Sequence, residues 1–294
     1  MSLRPPTPPV ALGLMLTATA FIAGSMVMAK SLGTDILGPP LHPLQISHGR
    51  FLFAFLAIAS AALILRPKIS HPHFGLHIGR TLFGWGGVTL MFAAVAFIPL
   101  SDATAISFLN PVFGMLLAIP LLGERVGKWR WFAAFTALLG ALILLRPGPE
   151  SFQLAGLLAL GAAVTMGMEL IFIKKLANRE LAFQILLINN TIGLSIATLA
   201  VIPVWVMPTS EQWGALAALG ILMAAAQACF VNAMARAEAS FITPFSYVTL
   251  LFASLYDLII FDVWPDWISV LGALTILSGA SLLAWRERRS TRAQ

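Results

Sequence analysis

Ten apolar runs, each near the length of a bilayer crossing, follow one another at roughly 10–30, 43–65, 74–97, 101–122, 129–146, 152–173, 181–206, 213–235, 240–262 and 266–285. A hydrocarbon core about 30 Å thick takes roughly 20 helical residues to cross. Backbone polar groups find no water there, so such segments must satisfy their own hydrogen bonds as helices. The breaks between runs are short and carry turn residues: Gly38-Pro39-Pro40, Arg66-Pro67-Lys68, Gly123-Glu124-Arg125, Arg146-Pro147-Gly148-Pro149 and Trp264-Pro265-Asp266. The fourth and fifth runs lie so close that they predict a tight helical hairpin. Only 10% of the residues are charged and 59% are hydrophobic, whereas soluble domains carry about 25% charged residues. Lipid is therefore the solvent for most of the surface. The expected fold is an all-α integral membrane protein of ten transmembrane helices. The first run is longer than the roughly 7–15 residues of a signal-peptide core, and Gly13, Ala20 and Gly24 fit a packing face, so it reads as helix one. Cys229, the sole cysteine, lies inside an apolar run, which leaves no intramolecular disulfide and no cysteine-based metal cage.

The net charge of +6 would raise nucleic acid as a partner for a soluble chain, but here the basic residues sit in short loops. With a cytoplasmic N-terminus, the inner side receives Arg4, Arg66, Lys68, Arg80, Arg125, Lys128, Arg130, Lys174, Lys175, Arg179, Arg236, Arg286, Arg288, Arg289 and Arg292, fifteen in all. The outer side receives Lys30 and Arg146, and Arg50 stays within a helix. Asp35, Asp102, Glu150, Glu211, Asp262 and Asp266 fall outside. Lys and Arg in short loops decide orientation, so a multi-pass protein of a bacterial-type inner membrane with both termini cytoplasmic is expected.

The two halves resemble each other at an offset near 138–143 residues. GLMLTATAFIAG (13–24) lies over GLLALGAAVTMG (156–167), Gln45 over Gln184, Arg50 over Asn189, Glu124 over Asp262 and Gly140 over Gly279. A unit of five crossings is odd, so its copy inserts upside down. Two inverted five-helix repeats, of the kind found in many secondary transporters, are therefore expected.

Residues 110–145 carry a resemblance to a known family. Asn110-Pro111-Val112-Phe113, then Leu121-Leu122-Gly123-Glu124-Arg125 and a glycine-containing apolar helix ending at Leu145, resemble the pattern of the drug/metabolite transporter superfamily, in its ten-helix form with two EamA-type domains. Arg50-Phe51 is similar to an arginine position of that family. The resemblance covers roughly 10–285 and divides the chain into a tail (1–9), a first repeat (10–146), a second repeat (152–285) and a basic tail (286–294). The second repeat departs from the pattern: the proline position falls near Val248 or Thr249, with Pro244 nearby, and Asp262 has no glycine before it. The resemblance implies a central cavity lined mainly by helices one, three, four, six, eight and nine. Helices five and ten would lie at the periphery, where a homodimer contact is compatible.

Three ionisable residues lie within helices, where a charge at the bilayer centre costs about 2.5–3.5 kcal/mol on insertion scales: Arg50, Glu169 and Asp257. Glu169 reads either as a carboxylate snorkelling toward Lys174 and Lys175 or as a cavity-facing substrate or proton site. Asp257 shares a stripe with Ser246, Leu250 and Ala253. It reads as a structural ion pair, with Arg50 the candidate partner, or as a site residue. Arg50, on a helix not expected to be central, reads as architectural or substrate-binding. The ridges Asn110-Gly114-Ala118 and Gly220-Ala224-Ala228-Asn232 would let helices approach closely. Asn189, Asn190, Gln227, Asn232, Tyr247 and Tyr256 are hydrogen-bonding candidates for a cavity or for helix contacts. Trp85, within Gly84-Trp85-Gly86-Gly87, offers either a stacking surface or part of a packing patch. His71, His73 and His77 read as a solvated loop without a nearby acid rather than a metal cluster, and His48 as a packing histidine.

Neither a Walker loop, an HExxH pair nor a nucleophile elbow occurs. The reading is a secondary active or facilitative transporter of a small polar or amphipathic metabolite, such as an amino-acid-like compound, a vitamin or a nucleoside derivative. Its expected partners are that substrate, the lipid bilayer and a coupling proton or ion, with no cofactor. A membrane-embedded enzyme needs catalytic groups converging at one depth, and a receptor or assembly subunit is the third class. Solute flux separates the first from both.

Overall fold

In the computed structural model, which describes residues 8–67, 70–122, 127–145, 154–177, 179–234 and 248–291, eleven α-helices follow one another without a strand among the described residues. They are α1 (Pro8–Leu32), α2 (Pro43–Leu65), α3 (Phe74–Val95), α4 (Leu100–Ser107), α5 (Asn110–Leu122), α6 (Lys128–Leu145), α7 (Leu154–Ala177), α8 (Ala182–Val201), α9 (Ser210–Met234), α10 (Val248–Phe261) and α11 (Trp267–Thr291). Seven segments are long and apolar enough to cross a membrane, α4 and α5 together forming one of them (Leu100–Leu121). Val248–Phe261 and Trp267–Gly279 are shorter apolar helices, and α6 supplies the remaining crossing. The protein is thus an all-α membrane protein of ten crossings. The Glu124 and Arg125 motif residues, Pro244 and Tyr247 lie outside the described residues.

Local chemistry explains the helix ends. At the start of α2, Pro43 occupies the first turn, where no N–H is needed, and the His42 ring accepts from Leu44 N–H at 3.2 Å. The same helix stops where Arg66 turns left-handed (φ 44°), donating its N–H to Ala62 O at 2.8 Å just before Pro67. The fourth crossing breaks at Phe108–Leu109 because Pro111 cannot donate to the preceding turn. There Leu109 N–H closes a tight turn onto Ile106 O at 3.0 Å before α5 resumes.

The packing repeats under exchange of the halves. The broadest helix contacts are α1 with α9, α3 with α7, and α6 with α11. Numbered as crossings these are one with eight, three with six, and five with ten, so swapping halves turns the first pair into the second and the third into itself. The same exchange relates α2–α9 to α8–α3, and the α5–α7 contact to α10–α1. Small residues allow the close approaches, as expected where lipid supplies no hydrophobic drive between helices. A Cβ on Gly167 would lie 2.8 Å from Gly114 N, and one on Gly220 would lie 2.9 Å from Ala54 N, so the glycine of each ridge seen in the sequence sits at a close helix crossing. Helices α6 and α11 stand at the periphery, and α6 exposes Trp131, Phe132, Phe135, Leu139 and Leu142.

Gly140 makes the tightest of the peripheral contacts: a Cβ there would lie 2.6 Å from Ile276 N and 2.8 Å from Gly272 O, both backbone atoms that cannot rotate away. Gly86 has nothing within 4 Å of the same position. Gly140→Ala is expected to destabilise by about 1–3 kcal/mol through overpacking, seen as a lowered thermal midpoint in detergent. Gly86→Ala should leave the midpoint unchanged or slightly raised, since alanine is the better helix former.

Candidate functional site

Burial of charge in the bilayer forces pairing, and the structure resolves the intramembrane charges into two groups. The first lies where α2, α3 and α7 meet. Arg80 is six residues into α3 and 6% exposed, so it is a membrane charge and not the loop residue that the sequence suggested. Its Nε is 3.5 Å from Glu169 Oε1, and its Nη1 donates to Ile185 O on α8 at 3.2 Å. Arg50, on α2, is 3% exposed. Its guanidinium stacks on the Phe51 ring at 3.9 Å, and Arg50, Arg80 and Glu169 act on one another electrostatically. Gly84 makes room for Glu169, since a Cβ there would meet the carboxyl carbon at 2.7 Å. Glu169 therefore turns toward α3 and Arg80. Two of the Arg50 donors, Nε and Nη1, are buried without an acceptor among the described residues. Leaving a buried donor unmade costs about 1–3 kcal/mol, more for a charged group.

The second group corrects the expected Asp257–Arg50 pair. Asp257, 1% exposed on α10, binds Lys30 Nζ from the last turn of α1 at 3.1 Å and accepts from Ser101 N–H at the start of α4 at 2.8 Å. Lys30 also lies 4.4 Å from the centre of the Phe261 ring. Asp257 thus ties together three helices, with Leu250 and Ala253 buried on its stripe. Asp102 on α4 accepts from Ser269 Oγ of α11 at 3.1 Å in the same region.

Polar side chains outside these groups mostly join helices. Gln45 holds the backbone of Val206, donating to its O at 2.5 Å and accepting from its N–H at 3.1 Å. Gln184 holds the backbone of Ser70 in the same two ways, at 2.9 and 2.8 Å. The two glutamines aligned in the sequence repeat therefore perform the same act at opposite ends of the bundle. Thr81 donates to Asn189 at 3.1 Å, and Asn190 donates to Leu186 O at 2.8 Å. Asn110 opens α5, and its carbonyl lies at the Gly167 crossing. Among the described residues, Gln227 Oε1 and Trp85 Nε1 are buried without partners. Asn232 donates to Ala228 O at 2.9 Å and edges an apolar cleft of about 410 Å³ with Ala57, Phe183 and Ile221.

The histidine loop also differs from expectation, because an acid does stand beside it. Glu180, in the α7–α8 connection, accepts from His73 N–H at 2.7 Å and meets His73 Nδ1 at 3.0 Å and His77 Nε2 at 2.7 Å. Gln184 donates to it at 2.6 Å. Glu180 joins the second half to the first, and His77 is fully buried. Among the described residues, no group of three or more His, Cys, Asp or Glu is arranged to hold a metal. Burial works to raise the Glu180 carboxyl pKa, but the hydrogen bonds from His73, His77 and Gln184 outweigh it and hold the group down at about 2.

Comparison with known proteins agrees with the geometry. The EamA-like transporter family model matches twice, at residues 10–146 and 153–285. The chain belongs to that family. A riboflavin transporter from Vibrio cholerae serotype O1 is 31% identical over 235 residues, 78% of each chain. An S-adenosylmethionine uptake transporter from Rickettsia bellii is 25% identical over 96% of this chain and 95% of its own, and a pseudopaline exporter from Pseudomonas aeruginosa is 28% identical over 65% and 66%. A crystal structure aligns with a TM-score of 0.65 at 20% identity, covering 96% of this chain and 99% of its own, a likeness of fold.

Because the folded pKa of Glu180 is depressed, its contribution to stability is fully present above the ordinary value of 4.5 and is lost as pH falls from there toward 2. Glu180→Gln is therefore expected to be less stable than wild type at pH 7, with a gap that narrows through that window. Thermal unfolding at stepped pH checks this; a gap constant between pH 5 and pH 3 would contradict it.

Proposed function

We propose that the chain is a secondary active or facilitative carrier of a small polar or amphipathic organic metabolite, a vitamin, a nucleoside derivative or an amino-acid-like compound. It works by alternating access in a bacterial-type inner membrane, with both termini cytoplasmic. The moving units are the two repeats, 10–146 and 152–285. The observation that carries the reading is the exchange symmetry of the helix contacts, with charges from both halves, Arg50 and Arg80 from one and Glu169 from the other, meeting where those halves face each other. Rocking of two similar units around a shared site opens it to each side in turn, and the sequence has no nucleotide-binding loop to drive another kind of cycle. The relatives named for riboflavin, for S-adenosylmethionine and for pseudopaline support a small metabolite as cargo, in either direction. The excess of Lys and Arg in one set of loops supports the orientation. Glu169, Asp257, Arg50, Asn110, Trp85, Gln227, Asn232 and Tyr247 stay candidates for binding or coupling, Glu169 and Arg50 foremost.

Counterflow in proteoliposomes, with labelled riboflavin, S-adenosylmethionine and a panel of amino acids and nucleosides, tests this. Saturable exchange of at least one compound is expected, absent from empty vesicles and reduced ten-fold or more in Arg80→Gln of unchanged helicity. No saturable exchange of any compound by folded protein would contradict it.

A further inference from the structure

Among the described residues, the charges on α2, α3 and α7, where α3 packs against both others, do not balance. Arg50 and Arg80 bring two guanidinium groups to one carboxylate, Glu169, and these three act on one another. Arg80 is held by Ile185 O at 3.2 Å, while its Nε lies 3.5 Å from the Glu169 carboxylate without a hydrogen bond. Arg50 is held by no acceptor at Nε or Nη1 among the described residues, although it is 3% exposed. What fixes it is the Phe51 ring at 3.9 Å, itself pressed against Gly193 of α8. A cation kept in place by a ring face, with donors unfilled, is a site prepared for an oxygen-bearing anion. Guanidinium donors suit the oxygens of carboxylate and phosphate in geometry and in charge. Of the ion pair, Glu169 is the more exposed side chain, 20% against 7% for Arg80.

We propose that Arg50 receives an anionic group of the transported metabolite, a carboxylate or a phosphate, with Arg80 as the second positive charge and Glu169 as the resident counter-charge. This rests on the transport reading and narrows its substrate class: a wholly neutral cargo could accept from the Arg50 donors but would leave the second guanidinium charge without a counter-charge. Glu169 competes with the incoming anion for the same field, so neutralising it strengthens anion binding. A merely structural Glu169–Arg80 pair would not act in that direction.

The test uses the full chain in phosphatidylcholine nanodiscs, which present no anionic lipid, and reads affinity by isothermal titration. The probes are riboflavin against riboflavin 5′-phosphate, S-adenosylmethionine against its decarboxylated form, and acetate and inorganic phosphate alone. The phosphate- or carboxylate-bearing member of at least one pair is expected to bind ten-fold or more tighter than its partner, the pair identifying phosphate or carboxylate as the group. That preference should fall to within two-fold in Arg50→Gln and be partly kept in Arg50→Lys, while Glu169→Gln binds the anion several-fold tighter. Equal binding within both pairs, a preference unchanged in Arg50→Gln, or no saturable binding of any anionic probe overturns the proposal. If Arg50→Gln does not fold, Glu169→Gln decides it, and unchanged or weaker anion binding there overturns it. Flux measured on the same protein separates the two readings. Saturable transport without anion preference removes the Arg50 assignment and leaves the carrier, whereas anion binding without flux of any probe removes the carrier and leaves the site.

Discussion

A charge inside a bilayer needs a counter-charge or a polar cavity, and in this protein that requirement organises the helices around it. Lys30 and Asp257 bind α1 to α10 and, through Ser101 N–H, to α4. Arg80 and Glu169 bind α3 to α7, and Arg80 reaches α8 as well. Each of these pairs has one member in each half, so the charges that the membrane would otherwise expel become the joints between repeats. Removing one partner of a buried pair costs about 3–5 kcal/mol, since the other is left uncompensated. The halves are joined where such charges meet, while the α6–α11 pair is joined by close backbone approach at Gly140.

The inverted repeat gives these joints their shared logic. Gln45 and Gln184 each hold the backbone of a connection that follows the other's helix, Val206 after α8 and Ser70 after α2. The α2–α8 contact is therefore fastened at both ends by the same two-bond device. A contact fixed at both ends suits a pivot, whereas the charge clusters lie on helices whose partners exchange under the repeat. Glu180 adds a fastening at one end only, binding His73 and His77 across the halves.

Helix number and most helix ends were legible because hydropathy and turn residues report on each segment alone. α2 runs 43–65 in the sequence reading and Pro43–Leu65 in the structure. The Gln45–Gln184 alignment was also legible, and it turned out to mark equivalent contacts. Lateral pairing was not legible, because a hydrophobic run says how deep a charge sits and nothing about which neighbour it faces. Depth alone pairs Asp257 with Arg50, whereas its partner is Lys30 at 3.1 Å from the last turn of α1. Charge places Arg80 in a loop, whereas the apolar run from Phe74 to Val95 carries it into α3. The histidine partners of Glu180 lie more than 100 residues away in sequence, beyond the reach of any local pattern.

The central claim is that the two halves move against each other about the charged site, and paired distances on the two faces test it most directly. In a Cys229→Ser background, spin labels at His71 and Arg179 report one face, and labels at Ile36 and Trp264 report the other; all four positions are exposed. Adding a transported compound is predicted to change the two distances in opposite directions, one face opening as the other closes. Distances that stay fixed, or that lengthen together, under conditions where flux is measured would contradict alternating access in this protein.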